Sequence, residues 1–348
     1  MGGDGADEIC VLFGGSPGAG WFASRRHCPD LVDHPNAILS ALCRRNSEQL
    51  RQMADHFEVE TCFTDHRELV QSGAVDAVVI CSPHHLHYEH TRTALENNLH
   101  VLLEKPITLD PGEGRQLVEL AAAKSLTLVV AQNPPYWNHC RYLRQQIQQG
   151  TLGNIEGVHI HWMNDARGVL GLHPLPDTLP GVVKPTQFRH DPEQNGGGFF
   201  IDGGSHLVCE LLWCTGLEVV QVTAQMDNPE WDLSVALTLL LNNGALATIT
   251  MRADSAIFDK RHHSIYYGAA GTAIFRGFPF EVSLEARAGE TVHCSEKDLP
   301  APPSPVDNLI DCILDFGTPE LDNGTAVHIV EIINAAYESA RSGRSVQL

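Results

Sequence analysis

The first third of the chain alternates short apolar runs with helix-like stretches, and this alternation constrains the fold more than any other feature of the sequence. The run 76–81 (DAVVIC) is apolar at consecutive positions, which predicts a strand buried on both faces. Similar runs predict further strands, with intervening helices, at 9–13, 37–43, 100–104 and 126–131. Repeated strand–helix alternation predicts an α/β fold whose N-terminal part is a Rossmann-type, doubly wound parallel sheet.

The pattern changes near residue 150, where apolar and polar residues begin to alternate as they do in half-buried strands. This alternation predicts strands at 155–163, 219–225, 235–241, 245–251, 264–267 and 272–275. Asn242-Asn243-Gly244 has the sequence of a tight hairpin turn. Helices are predicted at 203–214, 306–316 and 325–342. The C-terminal part is therefore expected to be an α+β domain with a large, mostly antiparallel open sheet.

Charge and cysteine usage limit the classes of partner. The formal charge of -20 and the pI of about 5.3 indicate an acidic surface, which repels nucleic acid and anionic lipid. The chain has 10 cysteines and no C-x-x-C pair, which favours reduced, mostly buried thiols. No apolar run is long enough to cross a bilayer, and residues 1–10 lack the basic and apolar regions of a secretory signal. These features predict a cytoplasmic enzyme with neither nucleic acid nor membranes as partners.

A glycine-rich turn, GGSPGAG, follows the first predicted strand at residues 14–20. Such a turn lets backbone N–H groups and a helix N-terminus approach a pyrophosphate. If Gly14 is the first glycine of a G-x-G-x-x-G pattern, the second falls on Ser16 and the third on Ala19, so the turn departs from the usual pattern. We predict that the cofactor is contacted by Gly14, Gly15, Ser16, Gly18 and Ala19.

The second predicted strand ends in two adjacent arginines, Arg44 and Arg45. A site for NAD usually has a carboxylate here, which binds the 2′-hydroxyl of the ribose, whereas arginine suits the 2′-phosphate of NADP. Two arginines in so acidic a chain favour NADP over NAD. A solvated loop is the alternative interpretation.

Three further segments carry chemistry. SPHHLH at 82–87 follows the third predicted strand, Glu104-Lys105-Pro106 follows the fourth, and GGGFFIDGGSH at 196–206 opens a helix in the second half. Together they resemble the Gfo/Idh/MocA oxidoreductases, a family that includes glucose–fructose oxidoreductase and inositol dehydrogenase. The resemblance implies a dinucleotide-binding domain over residues 1–133 and a substrate-binding and oligomerisation domain over residues 134–348. It also implies assembly into a homodimer or homotetramer.

The residue types in these segments suit the oxidation of an alcohol, in which a base takes the hydroxyl proton while hydride leaves carbon for the nicotinamide. Asp202 and His206 are four residues apart, so on a helix they share one face and can touch. A carboxylate beside an imidazole fixes its tautomer and stabilises the imidazolium. By the resemblance, catalysis is carried by Lys105, Asp202 and His206. We predict His206 as the base, Asp202 as its orienting group or a substrate ligand, and Lys105 as an anchor for the developing alkoxide.

The structural alternatives are a helix cap for Asp202, a core histidine for His206 and a surface lysine for Lys105. The resemblance adds contacts around these three residues. On the cofactor side it implies Ser82, Pro83, His84, His87, Glu104 and Asn133. On the substrate side it implies Tyr136, Trp137 and Arg189, and we add His173 from the long loop 165–187.

These features predict an NAD(P)-dependent oxidoreductase acting on a secondary alcohol of a sugar, glycoside or polyol. One alternative is a redox-neutral enzyme that oxidises a sugar transiently, eliminates a substituent and reduces the product again. A second is a non-catalytic nucleotide-binding sensor, which the presence of Lys105 and His206 disfavours. A metal hydrolase would use the histidines crowded at 84–90, but the sequence has no H-E-x-x-H motif, and we predict no metal.

Overall fold

A computed structural model describes residues 9–15, 20–174, 180–184, 186–256, 260–286, 289 and 291–348, with side chains from residue 21 onward. The chain forms two compact units. The first comprises Met1–Ala131, Pro174–Asn195 and Pro303–Val327. The second comprises Gln132–His173, Gly196–Pro302 and His328–Leu348. The functional division at residue 133 stays a prediction.

The first unit is built on a parallel sheet of six strands within the described residues. The strands are β1 (Ile9–Gly15), β2 (Ala37–Arg44), β3 (Thr61–Phe63), β4 (Ala77–Ile80), β5 (His100–Glu104) and β6 (Leu128–Ala131). Their order in the sheet is β3-β2-β1-β4-β5-β6, with every neighbouring pair parallel. The helices up to residue 131 are α1 (Gly20–Phe22), α2 (Cys28–Asp33), α3 (Ser47–Phe57), α4 (His66–Val70), α5 (His87–Glu96) and α6 (Pro111–Ala123).

Apolar residues explain why these strands lie at the centre of the unit. All four residues of β4 are buried, because helices cover both faces of a doubly wound sheet. The side chains of Val79 in β4 and Leu102 in β5 are completely buried in one hydrophobic cluster. Local capping defines the helix starts: the Asp110 carboxylate accepts a hydrogen bond from the Glu113 N–H at 3.0 Å, with Pro111 in the first turn of α6.

The second unit is built on a sheet of nine strands within the part of the chain described here. The strands are β7 (Ile155–Met163), β8 (Val219–Met226), β9 (Ser234–Leu241), β10 (Leu246–Arg252), β11 (Arg261–Gly268), β12 (Gly271–Gly277), β13 (Glu281–Ala286), β14 (Thr291–Ser295) and β15 (Val346–Gln347). Their order is β14-β13-β12-β11-β7-β10-β9-β8-β15, and the β7–β10 pair alone is parallel among those strands. The remaining helices are α7 (Asn138–Gln148), α8 (Pro192–Asn195), α9 (Ser205–Thr215), α10 (Pro305–Ile313) and α11 (Asn323–Ser342).

One face of the large sheet packs against helices and the other does not. Along β7, Val158, Ile160 and Trp162 are buried, whereas His159 and His161 between them are partly exposed. Helix α9 covers the buried face; nine of its residues are buried, and it also packs on α7. This arrangement holds the start of α9 against the central strands of the sheet.

The structure confirms the predicted fold class, a Rossmann-type parallel sheet followed by an α+β domain with a mostly antiparallel sheet. It also confirms the hairpin between β9 and β10, which turns through Gly244 at a φ of 87°. The sequence analysis missed the edge strands β3, β14 and β15, the strand β13 next to β14, and the helices α2, α4, α7 and α8. Exposed edge strands have little apolar alternation, and α7 (NHCRYLRQQIQ) has few apolar residues to show its period. No helix among the described residues has the length and apolar composition needed to cross a membrane.

Candidate active site

The first unit reverses its strand order beside β1, at the point where the glycine-rich turn begins. Gly14 pairs with Cys43 of β2 on one side and with Ile80 of β4 on the other, and Gly15 pairs with Arg44. The carboxyl ends of parallel strands on either side of such a reversal leave a crevice that suits a dinucleotide. The other predicted contacts in the turn, Ser16, Gly18 and Ala19, lie outside the described residues.

The two arginines at the end of β2 have different environments. Arg44 is 2% exposed, and its guanidinium Nε donates a hydrogen bond to Gln49 Oε1 at 3.1 Å. Burial lowers the pKa of Arg44 to about 10. Arg45 is exposed at the surface, directly before Asn46, whose side chain caps α3. Arg45 is therefore the arginine with free access to solvent at this strand end.

The turn after β4 is held by a segment more than a hundred residues further along the chain. His84 is buried, and its Nδ1–H donates to the carbonyl oxygen of Asn195 at 2.8 Å. The ring of Phe188 contacts His84 at 5.1 Å between centroids, and the Arg189 guanidinium lies 4.5 Å from the Phe188 ring. The structure thus brings the predicted residues His84 and Arg189 into one cluster. Ser82 Oγ, nearby in the chain, is buried without a hydrogen-bond partner among the described residues.

His87 joins two of the predicted motifs. Its ring is completely buried, with Nδ1 at 2.6 Å from the carbonyl oxygen of Pro106 and Nε2 at 2.9 Å from that of Ser82. Burial lowers the pKa of His87, although its contacts with the two carbonyl oxygens act in the opposite direction. What His87 does in the structure is fix the backbone around Lys105-Pro106; its predicted cofactor contact stays a prediction.

Glu104 has a partner that the sequence analysis missed. His27, in the helical segment after the glycine-rich turn, is completely buried and places Nε2 2.8 Å from Glu104 Oε1. This contact ties the Glu104-Lys105-Pro106 motif to the segment that follows the turn. His27 comes directly after Arg25 and Arg26, so its position in the sequence suggests a basic surface and gives no signal of burial. Lys105 itself is half-buried at the end of β5.

In the second unit, the glycines at 196–198 are explained by close packing. A Cβ on Gly198 would lie 2.1 Å from the backbone nitrogen of Asp232, and one on Gly197 would lie 2.4 Å from Tyr337 Oη. Asp232 is fully buried; it accepts hydrogen bonds from Tyr337 Oη–H at 2.6 Å and from the Phe200 N–H at 2.8 Å. Burial raises the pKa of Asp232 to about 6. The sequence analysis missed both Asp232 and Tyr337.

Asp202 and His206 lie on consecutive helical turns, as their spacing predicted, but the first turn is wider than an α-helix. Asp202 is in a π-helical turn, Phe200–Gly204, and is 6% exposed. His206 follows in the first turn of α9. The predicted helix at 203–214 therefore begins with a π-turn, a feature often found at functional sites. Direct contact between the Asp202 carboxylate and the His206 ring stays a prediction.

His206 lies between two amide side chains that follow β6. Its Nδ1 is 2.9 Å from Gln132 Oε1, and its Nε2 is 3.2 Å from Asn133 Nδ2. The Trp137 ring lies 6.0 Å from the His206 ring, and Tyr136, next to it, is buried. The structure thus groups the predicted residues Asn133, Trp137 and His206. Gln132 was missed, because only its position after β6 distinguishes it from other glutamines.

A buried polar network supports α9 one turn after His206. The Glu210 carboxylate accepts hydrogen bonds from Ser264 Oγ–H at 2.6 Å and from Tyr266 Oη–H at 3.0 Å. His262 Nε2 lies 2.8 Å from the other carboxylate oxygen. These residues come from β11, so they fasten the helix that carries His206 to the sheet. The network was not predicted, since its members are far apart in the sequence.

Two predictions concern residues outside these clusters. His173 is exposed in the loop after β7, and its substrate contact stays a prediction. The pairing of Lys105 with Asp202 and His206 also stays a prediction. Among the residues with described structure, no group of three histidine, cysteine, aspartate or glutamate side chains is arranged to hold a metal ion.

Two family models match consecutive parts of the chain. Residues 17–132 match an oxidoreductase family with an NAD-binding Rossmann fold, and residues 140–273 match the GFO/IDH/MocA C-terminal domain. Both models describe the same family, and together they account for most of the chain. The two family models thus confirm the resemblance that was inferred from the motifs.

Named relatives and a solved structure are similar to this chain. D-glucoside 3-dehydrogenase of Escherichia coli is 27% identical over 59% of this chain and 54% of its own length. Myo-inositol 2-dehydrogenase of Thermotoga maritima is 28% identical over 57% of this chain and 53% of its own length. The matches thus span about half the length of these relatives. A levoglucosan dehydrogenase, solved with NADH and L-sorbose, has the same fold, with a TM-score of 0.83 at 17% identity over 97% of this chain and 99% of that one.

Proposed function

Because this chain belongs to the Gfo/Idh/MocA oxidoreductase family, we propose that it transfers hydride between NAD(P) and a secondary alcohol of a sugar, glycoside or polyol. The observation that carries the proposal is His206, an imidazole at the start of α9 whose two ring nitrogens have different partners. Removal of hydride from a carbinol requires a base for the hydroxyl proton, and imidazole suits that role near neutral pH.

In this proposal each catalytic residue has one task. His206 takes the hydroxyl proton, and the buried carboxylate of Asp202, one turn earlier, binds a neighbouring hydroxyl or orients the ring. Lys105 places an ammonium near the oxygen on which negative charge develops. The contact of His27 with Glu104 and that of His87 with Pro106 hold the backbone on both sides of Lys105. These contacts support a fixed position for the ammonium.

The residues of the first unit suit a dinucleotide. Ser82 follows β4, the strand next to β1, and its buried hydroxyl has no hydrogen-bond partner among the described residues. Ser82, Pro83 and His84 would lie along the ribose and nicotinamide, with Glu104 and Asn133 on the nicotinamide side. When bound, the nicotinamide supplies the hydride acceptor or donor. NADP is favoured over NAD because the exposed Arg45 places a cation where β2 ends.

Sugars and cyclic polyols are the substrates we propose, because the named relatives act on a glucoside and an inositol. A half-buried Trp137 beside His206 supports this class, since the apolar face of a pyranose or an inositol packs on an aromatic ring. Tyr136, His173 and Arg189 complete the proposed substrate contacts. A cytoplasmic location belongs to the same proposal.

The direct test is the absorbance at 340 nm of reduced nicotinamide. The purified protein is incubated with NADP or NAD and a panel containing D-glucose, methyl glucosides, D-xylose, myo-inositol and scyllo-inositol. We expect NADPH to accumulate with at least one member. Release of an aglycone without NADPH would instead identify the redox-neutral eliminating enzyme, and turnover of no member with either cofactor would contradict the proposed class.

Variants of the predicted catalytic residues test the assignment within that assay. His206→Ala and Lys105→Ala should each lower kcat by about 100-fold or more, the usual effect of removing a catalytic proton acceptor or an oxyanion donor. Cofactor affinity, followed by quenching of protein fluorescence, should change little. The matched controls are His293→Ala and Lys297→Ala, which remove exposed side chains of the same types. Turnover within a few-fold of wild type in both catalytic variants would refute the assignment.

A further inference from the structure

The two ring nitrogens of His206 have partners of opposite hydrogen-bonding character. Nδ1 lies 2.9 Å from an amide oxygen, Gln132 Oε1, which can only accept a hydrogen bond. Nε2 lies 3.2 Å from an amide nitrogen, Asn133 Nδ2, which can only donate one. Both bonds are made together by a neutral imidazole that carries its hydrogen on Nδ1. We call the side chains of Gln132 and Asn133 the amide clamp.

Burial makes the first of these bonds selective. Gln132 is 2% exposed, so its amide oxygen has little access to water. In the Nε2–H tautomer of His206, this oxygen would face an Nδ1 atom that carries no hydrogen and would lose its hydrogen bond. Leaving a buried acceptor unsatisfied is unfavourable enough to select one tautomer by roughly tenfold or more. The bond to Asn133 is longer and therefore weaker, so it is the one that a substrate can replace.

From this geometry we propose that Gln132 is a positioning residue that keeps His206 in the Nδ1–H tautomer and so makes Nε2 the basic nitrogen. The catalytic consequence rests on the proposed function. There, the substrate hydroxyl replaces Asn133 at Nε2. Its O–H bond breaks with the proton going to Nε2, its C–H bond breaks with the electron pair going to nicotinamide, and the C=O bond forms. The Nδ1–H bond to Gln132 persists throughout.

The sequence spacing predicted that the carboxylate of Asp202 could orient the His206 ring. A neutral amide at Nδ1 acts differently from a carboxylate. A carboxylate on Nδ1 would stabilise the imidazolium and keep the ring protonated to higher pH. An amide oxygen fixes the tautomer without placing a negative charge beside the ring, so it stabilises the imidazolium less than a carboxylate would. The other role predicted for Asp202 is that of a substrate ligand.

The test is nitrogen-15 NMR of histidine-labelled protein at pH 8, which distinguishes Nδ1–H from Nε2–H directly and needs no substrate. The resonances of His206 are assigned by their loss in His206→Gln. We expect the Nδ1–H form in wild type, and in Gln132→Glu, which retains an acceptor, a ring that keeps its hydrogen on Nδ1 and stays doubly protonated to higher pH than in wild type. We expect a shift to the Nε2–H form in Gln132→Met, which has a similar volume and no acceptor. The matched control, Gln148→Met, changes an exposed glutamine of α7 and should leave the tautomer as it is.

The outcomes separate this proposal from the proposed function. An Nε2–H ring in wild type, or an unchanged Nδ1–H ring in folded Gln132→Met, would overturn the positioning role. The wild-type spectrum alone shows which tautomer His206 adopts, so the proposal can be overturned even if a variant does not fold. Observation of the expected tautomers in a protein that oxidises no alcohol would instead support the clamp and contradict the function.

Discussion

The histidines of the candidate site differ at the scale of single residues in what their ring nitrogens contact. His87 has carbonyl oxygens at both ring nitrogens, so it contacts two backbone segments. His27 is buried against the carboxylate of Glu104. His206 has an acceptor at one nitrogen and a donor at the other, which leaves it a basic nitrogen. Residue type predicted a site rich in imidazole, and contacts decided which ring suits proton transfer.

Cofactor preference is also decided at this scale, and the different environments of Arg44 and Arg45 make Arg45 the residue to test. Replacing the buried Arg44 by aspartate would place a carboxylate in the interior and confound binding with stability. Arg45→Asp should instead lower the kcat/KM ratio of NADP to NAD by about 10- to 100-fold, because a charged hydrogen bond to the 2′-phosphate is lost and repulsion replaces it.

The control for this prediction is Arg51→Asp, which makes the same change of charge on an exposed position of α3. Steady-state kinetics with both cofactors should give an unchanged ratio in that variant. Equal ratios in wild type and Arg45→Asp would remove the 2′-phosphate argument.

At the scale of elements, the π-turn that contains Asp202 is anchored by a hydrogen bond to the carboxylate of Asp232. The carboxylate accepts from the Phe200 N–H, in the first position of the turn, and from Tyr337 on α11. Glycines 197 and 198 allow this approach because a Cβ at either position would collide with Tyr337 or Asp232. The geometry of this π-turn thus depends on a contact between the segment before β9, which contains Asp232, and α11.

The raised pKa of Asp232 predicts a dependence of stability on pH. Its pKa is about 6 in the folded protein, against 3.8 for an ordinary aspartate carboxyl, so between these values the native state binds a proton that the unfolded state does not. Its burial therefore costs little stability below about pH 4, and the cost grows as the pH rises through 6. An asparagine side chain does not ionise, so its burial has no cost that depends on pH. The free energy of unfolding of Asp232→Asn relative to wild type should thus rise by about 2 kcal/mol between pH 4.5 and 7.

Urea unfolding at these two pH values measures the difference, and Asp55→Asn, which changes an exposed aspartate of α3, serves as the control. A relative stability of Asp232→Asn that is the same at both pH values would show that this carboxyl titrates normally.

At the scale of the whole molecule, the open face of the nine-stranded sheet has apolar side chains in contact with solvent. Leu246, Gly157 and Tyr267 stand in register across β10, β7 and β11, and Leu246 is 56% and Tyr267 47% exposed. The sequence resemblance implied assembly through the second domain. Exposed apolar residues at the ends of the central strands of a broad sheet are the kind of surface that a second copy covers.

We expect a homodimer or homotetramer that uses this face. The double variant Leu246→Lys/Tyr267→Lys should dissociate to single chains, because burying two ammonium groups in a self-association surface is unfavourable. Light scattering after size exclusion measures the mass. Phe316→Lys, at a position 76% exposed and outside this sheet, should leave it unchanged. A wild type that elutes as a single chain would contradict the expectation.

The sequence by itself determined the order of elements and the motifs between them. Apolar periodicity depends on which face of a strand or helix is buried, and consecutive residues alone are enough to show it. The elements β4, β5 and α9 were therefore recognised from their own residues. The Glu104-Lys105-Pro106 and Asp202–His206 motifs were recognised in the same way, because their members are close in the chain.

The tertiary structure decided which partners those residues have. Gln132 and His206 are separated by 74 residues, His27 and Glu104 by 77, and Asp232 and Tyr337 by 105. No local pattern encodes such contacts, because each depends on how strands and helices pack and on which polar groups burial forces together. The residue types of the candidate site were therefore readable from the sequence, whereas the tautomer of its base and the anchoring of its turn followed only from packing.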